Sequence, residues 1–312
     1  MPGGPVQDAL ARIQGMGGAG GVGFQTEADI DLLRQDLERQ YGLDKPVFIR
    51  YFIWLKNILL LDFGESIATR QPAIHQIYER LPVSLSFGVP GFFLMYLVCI
   101  PLGIMMALKD GKRFDIISSF VLFVLYSIPT LVLALLFLYV FCTDRVLPMG
   151  AIFPLGGLYS DNFEEFSYFG KLVDLSKHLF LPILASIIGN FTILSLLQKN
   201  TMLDVVRSDY IRTARAKGLF EKVVIFKHAL RNALIPIMVG FGGILSTFLG
   251  GSIIIEQIFG IPGIGLLTLQ SLEARDFNVV MALVVLQSFA IMFGQLLSDM
   301  IYGLVDPRIR FH

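Results

Sequence analysis

Five long stretches of the chain contain no Asp, Glu, Lys or Arg, and their lengths constrain the fold more than any other feature. They are residues 81–108, 116–143, 178–198, 232–255 and 277–298. A helix that crosses a bilayer needs about 20 apolar residues, so each stretch can cross once and none can cross twice. Buried helices of soluble proteins rarely stay uncharged for so long. The sequence predicts an all-α polytopic membrane protein with five transmembrane helices, near 83–108, 116–142, 178–198, 234–255 and 279–304.

The composition agrees with a membrane location. Of the 312 residues, 54% are hydrophobic and only 16% are charged, compared with about a quarter charged in soluble domains. The 25 basic residues balance 25 acidic ones, which excludes a disordered polyelectrolyte and a nucleic-acid binder driven by net charge. Both cysteines lie in apolar stretches, which favours small buried side chains over a disulfide or a metal site.

The sequence shows no motif for catalysis or cofactor binding. The four histidines lack metal-ligand spacing, and neither HExxH nor a GxxxxGKS/T phosphate-binding loop is present. The uncharged stretches also lack the ionisable groups that ion-coupled transporters usually keep within their helices. We therefore expect no enzyme activity and no cofactor in this chain, and interpret it as a permease driven by another subunit. An ATP-independent channel or secondary transporter is the alternative.

The charges between the stretches predict their orientation. Loop 199–231 has 8 basic and 3 acidic residues and loop 109–115 has 3 and 2, whereas loop 144–177 has 3 and 5. Short basic loops face the cytoplasm. We therefore expect 199–231, 109–115 and the C-terminus inside, and 144–177, 256–276 and 1–80 outside.

Residues 1–80 are predicted to form a periplasmic segment, distinct from the transmembrane permease domain at 81–312. A Gly-rich stretch within 1–24 is followed by two predicted helices, at 27–40 and 46–61. The second contains the only tryptophan, and its aromatic residues suit a membrane interface or packing against the transmembrane helices, of which we favour packing.

The outward orientation of this segment requires a membrane crossing before it. Nothing at the start of the sequence resembles a signal peptide. We therefore expect about 20 apolar residues, preceded by one or two basic residues, to be encoded in frame just before Met1, giving six transmembrane helices in the intact protein. An in-frame stop close upstream would contradict this expectation.

The cytoplasmic loop 199–231 is too polar to cross a membrane and too regular in pattern to be a linker. Over 209–218, small and apolar residues alternate with basic ones, and Gly218 is placed to end a helix in a sharp turn. Such a helix, lying parallel to the membrane, fits a pocket of a cytoplasmic partner. The alternative is a basic surface bound to anionic lipid headgroups. The residues of interest are Tyr210, Arg212, Thr213, Ala214, Arg215, Lys217 and Gly218.

Four polar residues are predicted at membrane depth. They are Asn190, Thr192, Gln287 and Gln295. Unpaired polar groups are costly in lipid, so these side chains should face other helices or water. For any single one we favour a hydrogen bond between helices, which contributes about 0.6 kcal/mol. The functional alternative is that they line a translocation path.

Several motifs resemble one family, the ABC-importer permeases of the oligopeptide/dipeptide branch. The resemblance to their ATPase-coupling loop rests on DYIRTARAKG at 209–218 and HALRNALIP at 228–236. Other matches to this branch are PGGP at 2–5, YGLDKP at 41–46, DFGES at 62–66, ERLP at 79–82, EQIFGIPGIG at 256–265 and LVDPRIR at 304–310. A resemblance to members that take up microcin C and oligopeptides rests on GKRFDIISS at 111–119, FPLGGLYSDNF at 153–163 and KNTMLDVVRSDY at 199–210.

The resemblance implies a type I ABC importer permease bundle in the bacterial inner membrane. Such a chain forms half of a translocation path for oligopeptides or peptide-like compounds of the microcin C type. Its partners would be a second homologous permease, cytoplasmic ABC ATPase subunits, a periplasmic solute-binding protein and membrane lipids, with no nucleic acid. ATP hydrolysis would belong to the ATPase, and the helix at 209–218 would carry its motion to the bundle. A spanning helix before the PGGP element is implied as well.

Overall fold

The computed structural model describes residues 46–148, 150–240 and 251–305, most of which are helical. The helices are α1 Val47–Leu59, α2 Ala73–Leu108, α3 Arg113–Ser127, α4 Thr130–Phe141, α5 Tyr168–Val206, α6 Asp209–Ala216, α7 221–233, α8 Ile235–Val239, α9 Ile253–Phe259, α10 Ile264–Glu273 and α11 Phe277–Val305. In α7, a π-helical segment Val224–Ala229 separates two short α-helical turns. The described ranges contain no strand, only an isolated bridge between Glu65 and Pro72, so the all-α prediction is confirmed.

Three helices are long and apolar enough to cross a membrane by themselves. They are α2 with 36 residues, α5 with 39, and the 24-residue part of α11 at Phe277–Met300. At about 1.5 Å per residue, each exceeds the roughly 30 Å of the hydrocarbon core. α2 continues through Pro82, Pro90 and Pro101. Neighbouring helices make such prolines tolerable, since they re-satisfy the freed carbonyl groups.

The stretch predicted as one span near 116–142 is two helices. The axes of α3 and α4 differ by 94° across Ile128 and Pro129. Pro129 has no N–H to donate and disfavours helical backbone at the preceding residue, and Ile128 is accordingly extended, with φ −86° and ψ 118°. The expected continuous helix is therefore broken at the proline.

α9 and α10 form a second bent pair, with axes 92° apart. Gly260 ends α9 in the left-handed conformation at φ +61°. The region 256–276, expected to be an outer loop, is therefore largely helical. The span predicted near 234–255 is described only at its ends, because its centre lies outside the described residues. If each bent pair is one span, the described helices supply up to five spans.

α2 and α5 pack side by side and form the centre of the bundle. Gly103 on α2 approaches α5 so closely that a Cβ atom there would lie 2.6 Å from the backbone oxygen of Ser195. Towards the predicted outside, Phe87 and Leu179 share a buried cluster with residues of α4 and α9. Towards the cytoplasm, a second cluster surrounds Met202.

The connection from α1 to α2 is fastened to the start of α11. The buried hydroxyl of Ser66 donates a hydrogen bond to the carboxylate of Asp276. Nearby, the side-chain amide of Asn278 donates to the backbone oxygen of Glu65 at 2.7 Å. The DFGES motif thus packs on the predicted outer end of the last helix.

α1 occupies most of the helix predicted at 46–61, yet it hardly packs. Ile58 is its only buried residue within the described structure. We favoured packing of this helix against the transmembrane helices. The described residues show little such packing, because most of the helix surface is exposed. The helix predicted at 27–40 lies outside the described residues.

Candidate functional site

The short helix α6 lies in the predicted cytoplasmic loop and ends in a Schellman motif. The N–H of Gly218 donates to the oxygen of Arg215 at 2.9 Å, and the N–H of Leu219 donates to that of Ala214 at 3.4 Å. Gly218 has φ +76°, so the positive φ expected from the sequence is confirmed. A Cβ atom on Gly218 would meet nothing within 4 Å. The preference for glycine here comes from the backbone angle and not from crowding.

Ile211 anchors α6 to the bundle. Its side chain is completely buried. The buried cluster that it joins contains Ile104 and Ala107 of α2, Met202 of α5, and Val224, Ile225 and Ala229 of the π-helical segment, with Ala233 beyond it. The side-chain amide of Asn232 also donates to the hydroxyl of Tyr210 at 2.8 Å. α6 is therefore attached to the cytoplasmic ends of the two central helices.

The residues of interest in α6 lie on two different faces. Ala214 is half-buried and packs against the Ile211 cluster, so it contacts its own chain. The guanidinium of Arg212 lies 3.6 Å from the carboxylate of Asp209, and the Thr213 hydroxyl donates to the Asp209 backbone oxygen at 2.9 Å. The exposed face includes Tyr210, Arg212, Thr213, Ala216 and Lys217.

Arg215 bridges the turn that follows α6. Its guanidinium donates to both carboxylate oxygens of Glu221, at 2.7 and 3.2 Å. The hydrogen bond from Arg215 holds the pKa of the Glu221 carboxyl below its usual value, and the same bond raises the pKa of Arg215. Arg215 therefore links α6 to α7 across the turn, a contact that the sequence did not indicate.

A partly buried ion network lies beside this helix. Lys199 on α5 places its ammonium 2.7 and 2.8 Å from the carboxylate oxygens of Asp115 and 3.3 Å from Asp110. Asp115 also accepts from the N–H of Gly111 at 3.1 Å, and Arg207 lies 3.3 Å from Asp110. The network ties the α2–α3 turn to α5 just before α6. Sequence reasoning missed it, although the charges flank two neighbouring uncharged stretches.

Asn190 and Thr192 occupy different surroundings on α5. Asn190 lines a cavity of about 350 Å³, together with Thr130, Ser186 and Ser252. The hydroxyl of Thr192 is buried and donates to the backbone oxygen of Leu122 on α3 at 2.7 Å. Thr192 thus makes the interhelical hydrogen bond that we favoured, and Asn190 faces open space.

Gln287 and Gln295 lie on α11, away from this cavity. Both side chains are exposed. The amide of Gln295 donates to the carboxylate of Asp299, one turn further along, at 3.2 Å. Of the four polar residues predicted at membrane depth, Asn190 is the one that lines the cavity.

Glu256 is a buried carboxylate that the sequence analysis assigned to an outer loop. It has no exposed surface and lies in α9, one turn before the bend at Gly260. Its oxygens accept from the N–H groups of Leu266 at 2.7 Å and Ser252 at 3.0 Å, and from the hydroxyl of Ser84 at 3.4 Å. The Ser84 hydroxyl in turn accepts from the N–H of Ile264 at 2.8 Å. Glu256 therefore fastens the bent pair to α2. The sequence contained one sign of this role, since Glu256 directly follows the uncharged stretch 232–255.

Long apolar helices with a short polar helix packed on their predicted cytoplasmic ends fit a polytopic permease, and the family match identifies the class as that of ABC importers. The chain belongs to the family of binding-protein-dependent transport system inner membrane components, whose model matches residues 99–311. The matched range contains the end of α2 and every later helix, including α6.

Full-length similarity extends to permeases of known systems. The chain is 36% identical over 335 residues to the inner membrane ABC transporter permease protein YejB of Escherichia coli O157:H7, covering 99% of this chain and 91% of that protein. It is 35% identical over 333 residues to the peptidoglycan transport system permease protein YejB of Agrobacterium fabrum, covering 99% and 90%. For the oligopeptide transport system permease protein AppB of Bacillus subtilis the identity is 36% over 279 residues, covering 89% and 85%. The resemblance to the oligopeptide/dipeptide branch and the multi-pass inner-membrane location are confirmed.

A solved structure has the same fold. It is described as "Inward facing conformations of the MetNI methionine ABC transporter: CY5 native crystal form". The TM-score is 0.52 at 15% identity, over 75% of this chain and 97% of that chain. The expected permease bundle of type I ABC importers is confirmed at the level of fold.

Proposed function

We propose that this chain forms half of the translocation path of an ABC importer for oligopeptides or peptide-like compounds, including the microcin C type. Relatives named as oligopeptide and peptidoglycan transport permeases support this substrate class. The observation that carries the proposal is the construction of α6. Ile211 fixes one side of this helix to the bundle and the opposite side is open to a partner.

α6 has the contacts needed to transmit movement to the long helices. Ile211 shares one buried cluster with residues at the cytoplasmic ends of α2 and α5. The paired groups of Arg215 and Glu221 connect α7 to α6 across the turn. Packed helices move as rigid units, so a displacement of α6 acts on both central helices at once. We infer alternating access, in which closure of the ATPases shifts α6 and opens the path outward.

The proposed partners follow from the arrangement of surfaces. Cytoplasmic ABC ATPase subunits would dock on the exposed face of α6 and would carry out ATP hydrolysis. A second homologous permease would complete the path beside the cavity at Asn190. A periplasmic solute-binding protein would deliver substrate at the outer face, and membrane lipids would cover the remaining apolar surface.

Co-purification tests the ATP-driven function directly. Affinity-tagged permease extracted in mild detergent should bring an ABC ATPase with it. Peptide uptake restored to a permease-deletion strain should disappear when that ATPase carries an inactive nucleotide site. Uptake that continues without a working ATPase would reject the proposal in favour of a channel or a secondary transporter.

Uptake should tolerate the loss of single polar side chains on the path. Asn190 lines the cavity, and among the described residues its side chain makes one hydrogen bond, a 3.4 Å contact to the Ser186 backbone oxygen. We expect Asn190→Ala to reduce uptake by about two-fold, because interhelical and path hydrogen bonds are weak. Gln287→Ala, outside the cavity, is the matched control and should have a smaller effect. Abolished uptake in an assembled Asn190→Ala complex would instead indicate a discrete binding site.

The two arginines of α6 should differ in their effects. In the part of the chain that the structure describes, Arg212 makes an exposed ion pair with Asp209 and no other, so Arg212→Ala should leave uptake close to normal. Arg215→Ala removes the bridge to Glu221 and should reduce uptake more. The pKa of Glu221 is lowered, so the bridge is present above the usual glutamate range and is lost only as pH falls through the lowered value. At neutral pH the difference between the variants should therefore be fully expressed. If α6 only bound anionic lipid, the exposed Arg212 would matter at least as much.

A further inference from the structure

α1 carries an apolar stripe that the described chain leaves uncovered. Phe48, Phe52 and Leu59 follow one another at helical spacing and are 81%, 67% and 73% exposed. Within the described structure, the helix buries only Ile58. A stripe of this kind cannot face water without cost, because each large apolar side chain gains about 1.5–3 kcal/mol from burial.

We propose that α1 lies parallel to the membrane in the headgroup region of the outer leaflet, with lipid covering its apolar stripe. At about 1.5 Å per residue its 13 residues reach roughly 20 Å, too short for the roughly 30 Å hydrocarbon core. This proposal goes beyond the transport function and uses the outward orientation of 1–80 that the loop charges predict.

The connection after α1 fixes its height relative to the bilayer. Ser66 is bonded to Asp276 and Glu65 to Asn278, directly beside the start of α11. α11 is long enough to cross the membrane, so we place its first residues near the outer edge of the hydrocarbon. α1 ends only a few residues before this attachment, so it is held at the same boundary.

The charges and aromatic residues of α1 match lipid headgroups. Its only charged residues are the cations Arg50 and Lys56, which complement lipid phosphates. Tyr51 and Trp54 have the amphipathic rings that concentrate at membrane interfaces, and the Lys56 stem can extend along apolar surface while its ammonium reaches water. An interfacial helix combines these same features, cations and aromatic rings beside an apolar face.

A single tryptophan on the stripe provides a direct test, and Phe52→Trp combined with Trp54→Phe supplies it, because Trp54 is the only native tryptophan in the chain. The full-length permease is reconstituted into phosphatidylcholine liposomes, with or without lipid brominated near the headgroup end of its acyl chains. We expect the brominated lipid to remove most of the tryptophan emission of the Phe52→Trp variant and acrylamide in the water to remove little. Strong quenching by acrylamide alone would place α1 in water. Quenching by neither would show that protein covers it. Either result overturns the proposal.

Relocated reporters calibrate the measurement in a Trp54→Phe background. Phe93→Trp, on the exposed surface of α2, should respond best to lipid brominated deep in the acyl chain. Tyr168→Trp, at the outer end of α5 and 95% exposed, should respond to acrylamide. Phe48→Trp places a second reporter on the same stripe and should match Phe52→Trp, so the result does not depend on one variant. None of these readings depends on transport, which keeps the test separate from that of the proposed function.

Discussion

Uptake should be lost when Gly218 is replaced by valine, while the transmembrane helices remain inserted. Gly218 has φ +76°, and a β-branched residue resists this left-handed conformation. Valine would open the Schellman turn and change the angle between α6 and the following helix α7. No neighbouring atom lies close enough to clash, so the effect comes from the backbone angle. The misdirected helix should release the ATPase. The measurements are peptide uptake and the amount of ATPase that co-purifies with tagged Gly218→Val permease.

Gly111 supplies a matched control for this strain. It also has positive φ, at +70°, has no neighbour within 4 Å of a Cβ position, and lies in the other described cytoplasmic turn. Gly111→Val should keep most of the ATPase and most of the uptake. Gly218→Asn should retain most of the uptake that Gly218→Val loses, because asparagine tolerates the left-handed region. Normal uptake in Gly218→Val, or an equal loss in Gly111→Val, would reject the role of this turn.

The coupling helix could be predicted because its pattern is local. Alternating small and basic residues followed by glycine specify a helix with a left-handed end, and the structure has both. The pattern could not show which side faces the bundle. That side is determined by Ile211, which meets residues more than a hundred positions earlier in the chain. Ala214 consequently packs within the chain, so a bulky residue there would disturb the bundle as well as docking, and the exposed Ala216 is the cleaner probe of docking.

Interactions between distant segments were the main features that the sequence did not reveal. The lengths of the uncharged stretches predict how many segments can cross the membrane. They do not predict the bend at Pro129, because a break in a helix depends on the neighbouring helices that satisfy its free backbone groups. Lys199 and Asp115 each looked like ordinary flanking charges, and only the packing of α3 against α5 brings them to 2.7 Å. Glu256 was hidden for the same reason, since its donors lie on both sides of the α9–α10 bend and on α2.

Replacing Glu256 with alanine should destabilise the permease strongly and abolish uptake. The change leaves the part-buried N–H groups of Ser252 and Leu266 without their acceptor and opens a void beside Ser84. A fully buried donor without a partner costs about 1–3 kcal/mol, so the loss of both bonds, together with the void, should free the bent α9–α10 pair from α2. We expect a lower melting temperature of the purified complex and no peptide uptake.

Glu256→Gln retains one acceptor oxygen, so its melting temperature and uptake should lie between those of Glu256→Ala and the unchanged protein. Glu273→Ala, an exposed glutamate on the same α10 helix, should behave like the unchanged protein. An unaltered melting temperature in Glu256→Ala would mean that the carboxylate does not hold the bend.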